Sequence, residues 1–183
     1  SKDIEASRAK ARQLLKDAGV PEGFKFIFNN RGVDQPYKVV GTWLVDQWRK
    51  VGLDPQQTVK PSPQFYATLR KKYDFDVSID FNCQSVINPI ADVSKFLCSA
   101  GNNYSQCDNP EIEDLYDRLM KAATLDDQKA AMRAYEKAAV DFAGSSITLW
   151  WYKINPHRSY VKGWNIAPSH YLNQHLDNVW LDQ

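Results

Sequence analysis

Few side chains in this sequence are spaced for covalent chemistry, and those that are point to a bridge rather than a reaction. Cys98 and Cys107 flank a polar stretch, CSAGNNYSQC, in which Gly101, Asn102 and Asn103 can turn. A disulfide here closes a short surface loop, contributes about 2–3 kcal/mol through loop entropy, and belongs to an oxidising compartment. We expect that bridge; the alternative is two unpaired thiols. Cys83 lies in a strand-like segment and reads as a small buried hydrophobe. His157, His170 and His175 all fall in the tail, and the spacing of the last two does not stack imidazoles on one helix face. Asp74 and Asp76 share one side of an expected strand, where solvation at an edge explains them more simply than acid–base catalysis. There is no Gly-rich phosphate loop, HExxH, paired CxxC or GxSxG elbow. These absences point away from an enzyme and leave no metal or cofactor signature.

Composition narrows the class further. A chain of 183 residues fits one domain with at most a short appendage, and at this size roughly 70% of the unfolded surface can be buried. The net charge of +1, with both signs spread along the chain, argues against a nucleic-acid partner and a polybasic membrane patch. No apolar run approaches the ~20 residues that span a bilayer. Aromatic residues make up 13% of the chain. That surplus fits either a bulky core or a pocket for organic ligands.

The elements alternate. A first helix is expected from about Asp3 to Ala18, with Ile4, Ala11, Leu14, Leu15 and Ala18 on one face and Gly19 ending it. FKFIF, Phe24–Phe28, reads as a strand, followed by a loop from Asn29 to Gly32. Asp34 is a plausible N-cap for a helix over 35–50 that turns Val39, Val40, Trp43 and Leu44 inward. Leu53–Val59 is a second strand. Ser62 caps a short helix with Pro63 at N1 and Phe65, Tyr66 and Leu69 inside. Tyr73–Phe81 alternates as a third strand. This order predicts an α/β fold whose βαβ units build a mostly parallel sheet flanked by helices. The stretch over 82–109 is long and irregular, the kind of loop that carries function. Asn109-Pro110 opens another helix, Thr124 caps one running to Phe142, and Gly144 stops it. ITLWWY, 147–152, reads as a strand, and the tail to 183 as coil with short strands.

Several phrases taken in order resemble the extracellular solute-binding proteins of ABC importers, in the oligopeptide, dipeptide and nickel group, family 5. They are AKARQLLKDAGVPEGFKF, WLVDQWRKVGLDPQ, FDVSIDFNCQSVINP, the helical pair from NYSQCDNP to YEKA, and ITLWWYKINPHRSYVKGW. The resemblance implies a periplasmic-binding-protein-like (type II) lobe, the carboxy-terminal one of two. Residues 1–158 would form that lobe, and 159–183 would return to pack on a missing N-terminal lobe. The implied partners are a small-molecule or peptide ligand and the ABC permease subunits, and the implied location is periplasmic or extracellular. A sensory or chaperone-like domain on the same fold is the competing reading.

The same resemblance nominates ligand residues. Phe81, Asn82 and Cys83 look like the strand edge that peptide receptors offer to a ligand backbone. Ser85 stands where those receptors carry an Asp for the ligand's α-ammonium. An unpartnered buried ammonium costs several kcal/mol, so a free peptide N-terminus fits poorly unless Asp80 supplies the charge. Arg70 either reaches a ligand carboxylate, as in some members, or is a solvated helix end. Asn30 and Arg31 follow the first strand at its carboxyl end, where open α/β sheets bind ligands, and Arg31 could hold an anionic group bidentately. Trp150 and Trp151 face opposite sides of their strand, so one, Trp151, is assigned to the cleft.

Overall fold

A computed structural model describes residues 3–72, 74–81, 88–101, 104, 105, 107–150, 152, 154, 156–165 and 176–182. They divide into two compact units, Ser1–Asn82 and Cys83–Gln183.

The first unit opens with α1, Ile4–Asp17. Asp3 sits in extended geometry at the N-cap and its carboxylate accepts from the Ala6 N–H at 2.9 Å. At the other end the Val20 N–H donates to the Leu15 carbonyl and the Gly19 N–H to Lys16, with Gly19 at φ +72. That pair of bonds is a Schellman stop, and the positive φ is why glycine stands there. The inward face expected for α1 is thinner than its pattern suggested. Ile4 and Leu14 are exposed, Ala11 and Leu15 are half-buried, and no residue of α1 is fully buried. Polar ties help hold it: Arg8 Nη2 donates to Gln47 and Arg12 Nη1 to the Lys50 carbonyl.

Three parallel strands follow, β1 (Phe24–Arg31), β2 (Leu53–Lys60) and β3 (Val77–Ser78), in the spatial order β2-β1-β3. The parallel βαβ sheet expected from the alternation is therefore present. β1 is central and pairs with β2 along its whole length, Phe24 opposite Leu53 through Arg31 opposite Lys60. β1 runs on through Asn29, Asn30 and Arg31, where a loop was expected, because Thr58, Val59 and Lys60 continue to pair with them. Pro55 is tolerated in β2 because that strand lies at the sheet's edge.

The two faces of β1 carry different helices. Phe26 and Phe28 stack edge-on against Trp48 of α2, Val39–Arg49, with centroids 5.3 and 5.0 Å away. Asn30, on that same face, lies against Gly41, where an added Cβ would sit 2.1 Å from its amide nitrogen. The buried face of α2 is thus Gly41 and Val45; Val39 and Trp43, expected inside, are exposed. Asp34 is not the N-cap either. A π-helical turn, Asp34–Lys38, precedes α2, and Gln35 is extended within it. A residue before proline is pushed out of the α region, so Pro36 delays the helix. On the opposite face stands α3, Ser62–Ala67, continued by a π-helical turn, Thr68–Lys72. Phe65 and Leu69 are fully buried as expected, while Tyr66 is only half-buried. Pro61, not Ser62, occupies the cap position.

β3 is much shorter than the nine-residue alternation predicted. Asp76 explains its start: its carboxylate accepts the Ile27 N–H at 2.7 Å, replacing a ladder bond with a side-chain one.

In the second unit the capping signals hold. Asn88 caps α4 (Pro89–Val93), a short helix inside the expected irregular stretch. Asn109 caps α5 (Pro110–Lys121) and Thr124 caps α6 (Leu125–Phe142). Ala143, at φ 55, ends α6 where Gly144 was expected to. Ile112, Leu119 and Tyr135 form the buried seam, and the Tyr135 hydroxyl donates to the Val93 carbonyl at 2.8 Å. Cys98 and Cys107 are bridged, as expected. The Ser99 N–H and hydroxyl both donate to the Glu113 carboxylate, at 2.8 and 2.9 Å.

The ITLWWY segment is a correction. Its described residues form no strand, and Trp150 and Tyr152 are 90% and 87% exposed. A strand forms only where another edge accepts its backbone groups, and no described residue pairs with these. Further on, β4 (Val161–Lys162) and β5 (Trp180–Leu181) pair antiparallel, the short strands expected of the tail.

Candidate ligand-binding edge

Functional side chains gather at the carboxyl end of the first unit's sheet. Arg31 is the last residue of β1, α3 starts two residues beyond the end of β2, and Asp80 and Phe81 follow β3. Parallel strands end together, so the segments that leave them converge.

Arg31 is held on three sides. Its Nε donates to Ser62 Oγ at 2.8 Å and its Nη1 to Tyr66 Oη at 3.2 Å. Its guanidinium lies 4.9 Å from the Tyr37 ring centroid and 5.2 Å from that of Tyr66. Each such contact is worth about 0.5–1 kcal/mol where water still reaches it, and together they fix the planar fork in one orientation. The side chain is half-buried, and Nη2 has no protein acceptor among the described residues. Arg70 stands over the other side of the cluster, 5.1 Å from the Tyr66 ring.

Asp80 supplies the negative charge. Its Oδ1 accepts the Phe81 N–H at 2.9 Å and the Tyr66 hydroxyl at 3.4 Å. Burial pushes its carboxyl above the ordinary 3.8; the Phe81 N–H, Arg31, the Tyr66 hydroxyl and Arg70 each pull the other way without overcoming it. Phe81 is 43% exposed and its ring meets Tyr37 at 5.8 Å. Two guanidiniums against one carboxylate leave the cluster a net positive charge, lined by rings. Such a surface suits an anionic group carried on a flat or apolar body.

Of the residues nominated from sequence, the structure brings Arg31, Arg70 and Phe81 together around Tyr37 and Tyr66. Asn30 is fully buried on the other face of β1, its amide 3.5 Å from the Lys38 carbonyl. Asn82, Cys83, Ser85 and Trp151 lie outside the described residues. Tyr37 and Tyr66 were missed. Tyr66 sits at helical spacing with buried Phe65 and Leu69, a signal that reads as core; its proximity to Arg31 is tertiary. A depression of about 470 Å³ lies at the opposite, amino-terminal end of the sheet, between Arg12, Lys16, Val20 and Leu53. It collects no aromatic side chain, and we place the site at the carboxyl end, where charge and rings converge.

The sequence profile described as bacterial extracellular solute-binding proteins, family 5 Middle, matches residues 1–104. No curated protein sequence matches the chain. Among solved structures, the chain is similar to the ABC transporter-associated periplasmic binding protein DppA from Helicobacter pylori in complex with peptide STSA. The TM-score is 0.75 at 21% identity, over 96% of this chain and 34% of that one. It is also similar to OppA from Haemophilus influenzae in complex with RPPGFSPFR, with a TM-score of 0.63 at 19% identity over 74% and 27% of the two chains. NikA from Staphylococcus aureus, in complex with Ni(L-His)2, gives a TM-score of 0.62 at 12% identity over 73% and 30%. The chain thus spans about a third of the length of DppA and less of the other two.

Proposed function

This chain belongs to the bacterial extracellular solute-binding proteins of family 5, and on that premise we propose that it forms one wall of the solute cleft in the binding component of an ABC importer. Residues 1–158 act as the carboxy-terminal lobe and 159–183 return to the N-terminal lobe. The receptor works in the periplasm or outside the cell, encloses a small peptide-like or other organic solute between its lobes, and hands it to the permease without altering it. The observation that carries this reading is the convergence of Arg31, Tyr37, Tyr66, Arg70, Asp80 and Phe81 at the carboxyl ends of three parallel strands. Arg31 is the anion hold. Because Ser62 and two rings already restrain it, little side-chain entropy remains to be lost on binding.

Binding closes the lobes around the solute, and that closure is what the permease recognises. A single lobe leaves one side of the solute in water, so the isolated chain binds weakly. The test is a thermal-shift screen of dipeptides to pentapeptides and metal–amino-acid chelates against this chain joined to its N-terminal lobe. A true solute at a hundredfold excess over Kd stabilises by about 2.7 kcal/mol. We expect at least one compound to do so and Arg31→Ala to abolish the effect. No shift with any compound would contradict the reading.

A further inference from the structure

The Tyr66 hydroxyl joins two charges that do not touch. It accepts from Arg31 Nη1 at 3.2 Å and donates to Asp80 Oδ1 at 3.4 Å. Arg31 Nη2 has no acceptor among the described residues, so an anion on that edge would sit across the Tyr66 phenol from a carboxylate that is itself half-buried. Resting on the receptor reading above, we propose that Asp80 is the specificity residue of this site: it admits a solute carrying a single carboxylate, disfavours a dianion, and takes up a proton as the carboxylate binds.

The physical reason is that like charges a few ångströms apart, away from bulk water, do not both stay ionised easily. Among the described residues, the groups that act on Asp80 come from three segments. Arg31 comes from β1, Tyr66 and Arg70 from α3 and its π-helical continuation, and the Phe81 N–H from Asp80's own segment. Tyr37 faces Arg31 and Phe81 rather than the carboxylate, and Lys60 is turned to the Thr68 hydroxyl at 3.1 Å. In the empty site burial moves the Asp80 carboxyl upward, and Arg31 and Arg70 pull it back without overcoming that. A bound carboxylate draws on the same two guanidiniums and so weakens their hold on Asp80. The proton needed comes from solvent, and no bond to the solute is made or broken.

The sign follows from linkage. If the bound state holds Asp80's proton more tightly than the free state, affinity is independent of pH well above both values. It rises as pH falls through the bound value, and levels off below the free one. The free value already lies above the ordinary 3.8, and a bound value higher still places the rise above it. Tyr66 transmits the effect and Tyr37 with Phe81 supplies the flat surface, so the probe is benzoate, with benzamide as its neutral isostere and phenyl phosphate as the dianion.

Dissociation constants from ligand-observed NMR titrations of this chain, from about pH 8 to about pH 5, test the proposal. Benzoate is expected to bind at least about fivefold more tightly at the acid end, benzamide to show no pH slope, and phenyl phosphate at about pH 8 to bind more weakly than benzoate. Asp80→Asn is expected to remove the slope and to tighten benzoate at about pH 8. Tyr66→Phe keeps the ring against both guanidiniums but removes the hydrogen bonds to Arg31 and Asp80, and is expected to flatten the slope without the tightening, a check that stands if the Asp80 variant folds poorly. A pH-independent benzoate affinity, a slope unchanged in both variants, or tighter phenyl phosphate would overturn the proposal and leave the receptor reading standing. Failure of all three probes to bind would overturn the anion site itself, and the receptor would then rest on the thermal-shift screen.

Discussion

The helical pair of the second unit and the strand-end cluster of the first use similar residues to opposite ends. In the pair, polar groups close on one another. Glu113 accepts from both donors of Ser99, the Tyr135 hydroxyl donates to the Val93 carbonyl, and a disulfide shuts the adjoining loop. Burial, with Glu113 and Tyr116 nearby, raises the Tyr135 hydroxyl to about 12, so it stays a donor at any physiological pH. At the strand ends two cations share one tyrosine ring, a lone carboxylate is held above its ordinary pKa, and an aromatic ring faces water. The first pattern is what stability asks for. The second gathers charge and aromatic surface at the strand ends, the pattern expected of a functional site.

That contrast can be broken experimentally. Tyr135→Ala should have the largest effect, a loss of about 3–5 kcal/mol from an emptied buried site, read as a drop in denaturation midpoint. Tyr135→Phe should cost about 1–3 kcal/mol by leaving the Val93 carbonyl unpaired. Opening the bridge with Cys98→Ser and Cys107→Ser together should cost about 2–3 kcal/mol. None of these three changes should alter solute affinity in the two-lobed protein; a tenfold loss of affinity would show that the helical pair belongs to the site. Gly41→Ala, which drives a Cβ into the Asn30 amide, should cost about 1–3 kcal/mol through overpacking beneath the strand end. The smallest stability effect is expected at the edge itself. Arg31→Lys keeps the charge but loses the planar fork, and should change the midpoint by under about 1 kcal/mol while weakening anionic solutes about tenfold or more. Equal losses of stability and affinity there would mean that Arg31 is structural.

Much of this was legible where the signal is local. Asn109 and Thr124 cap helices because a short polar side chain before an apolar-periodic run reads the same in sequence and in space. The alternation of helix and strand carried the parallel sheet, because β1, β2 and β3 are each bounded by helices that cover its two faces. Where neighbours decide, the reading failed. YDFDVSIDF alternates like a strand, yet Asp76 spends its carboxylate on the Ile27 N–H and the ladder is only two residues long. ITLWWY is rich in strand-favouring residues, and nothing in that composition tells whether an edge is there to receive it. Arg31 and Arg70 came from position and resemblance, whereas Tyr37 and Tyr66 are separated in the chain and meet only across Arg31.

The most direct test is to map where a solute lands. In a ¹⁵N-labelled protein titrated with the compound that gives the largest thermal shift, we predict that amide perturbations concentrate at Arg31, Tyr37, Tyr66, Arg70, Asp80 and Phe81. Perturbations centred instead on Arg12, Lys16 and Leu53 at the far end of the sheet, or on α5 and α6, would contradict the account.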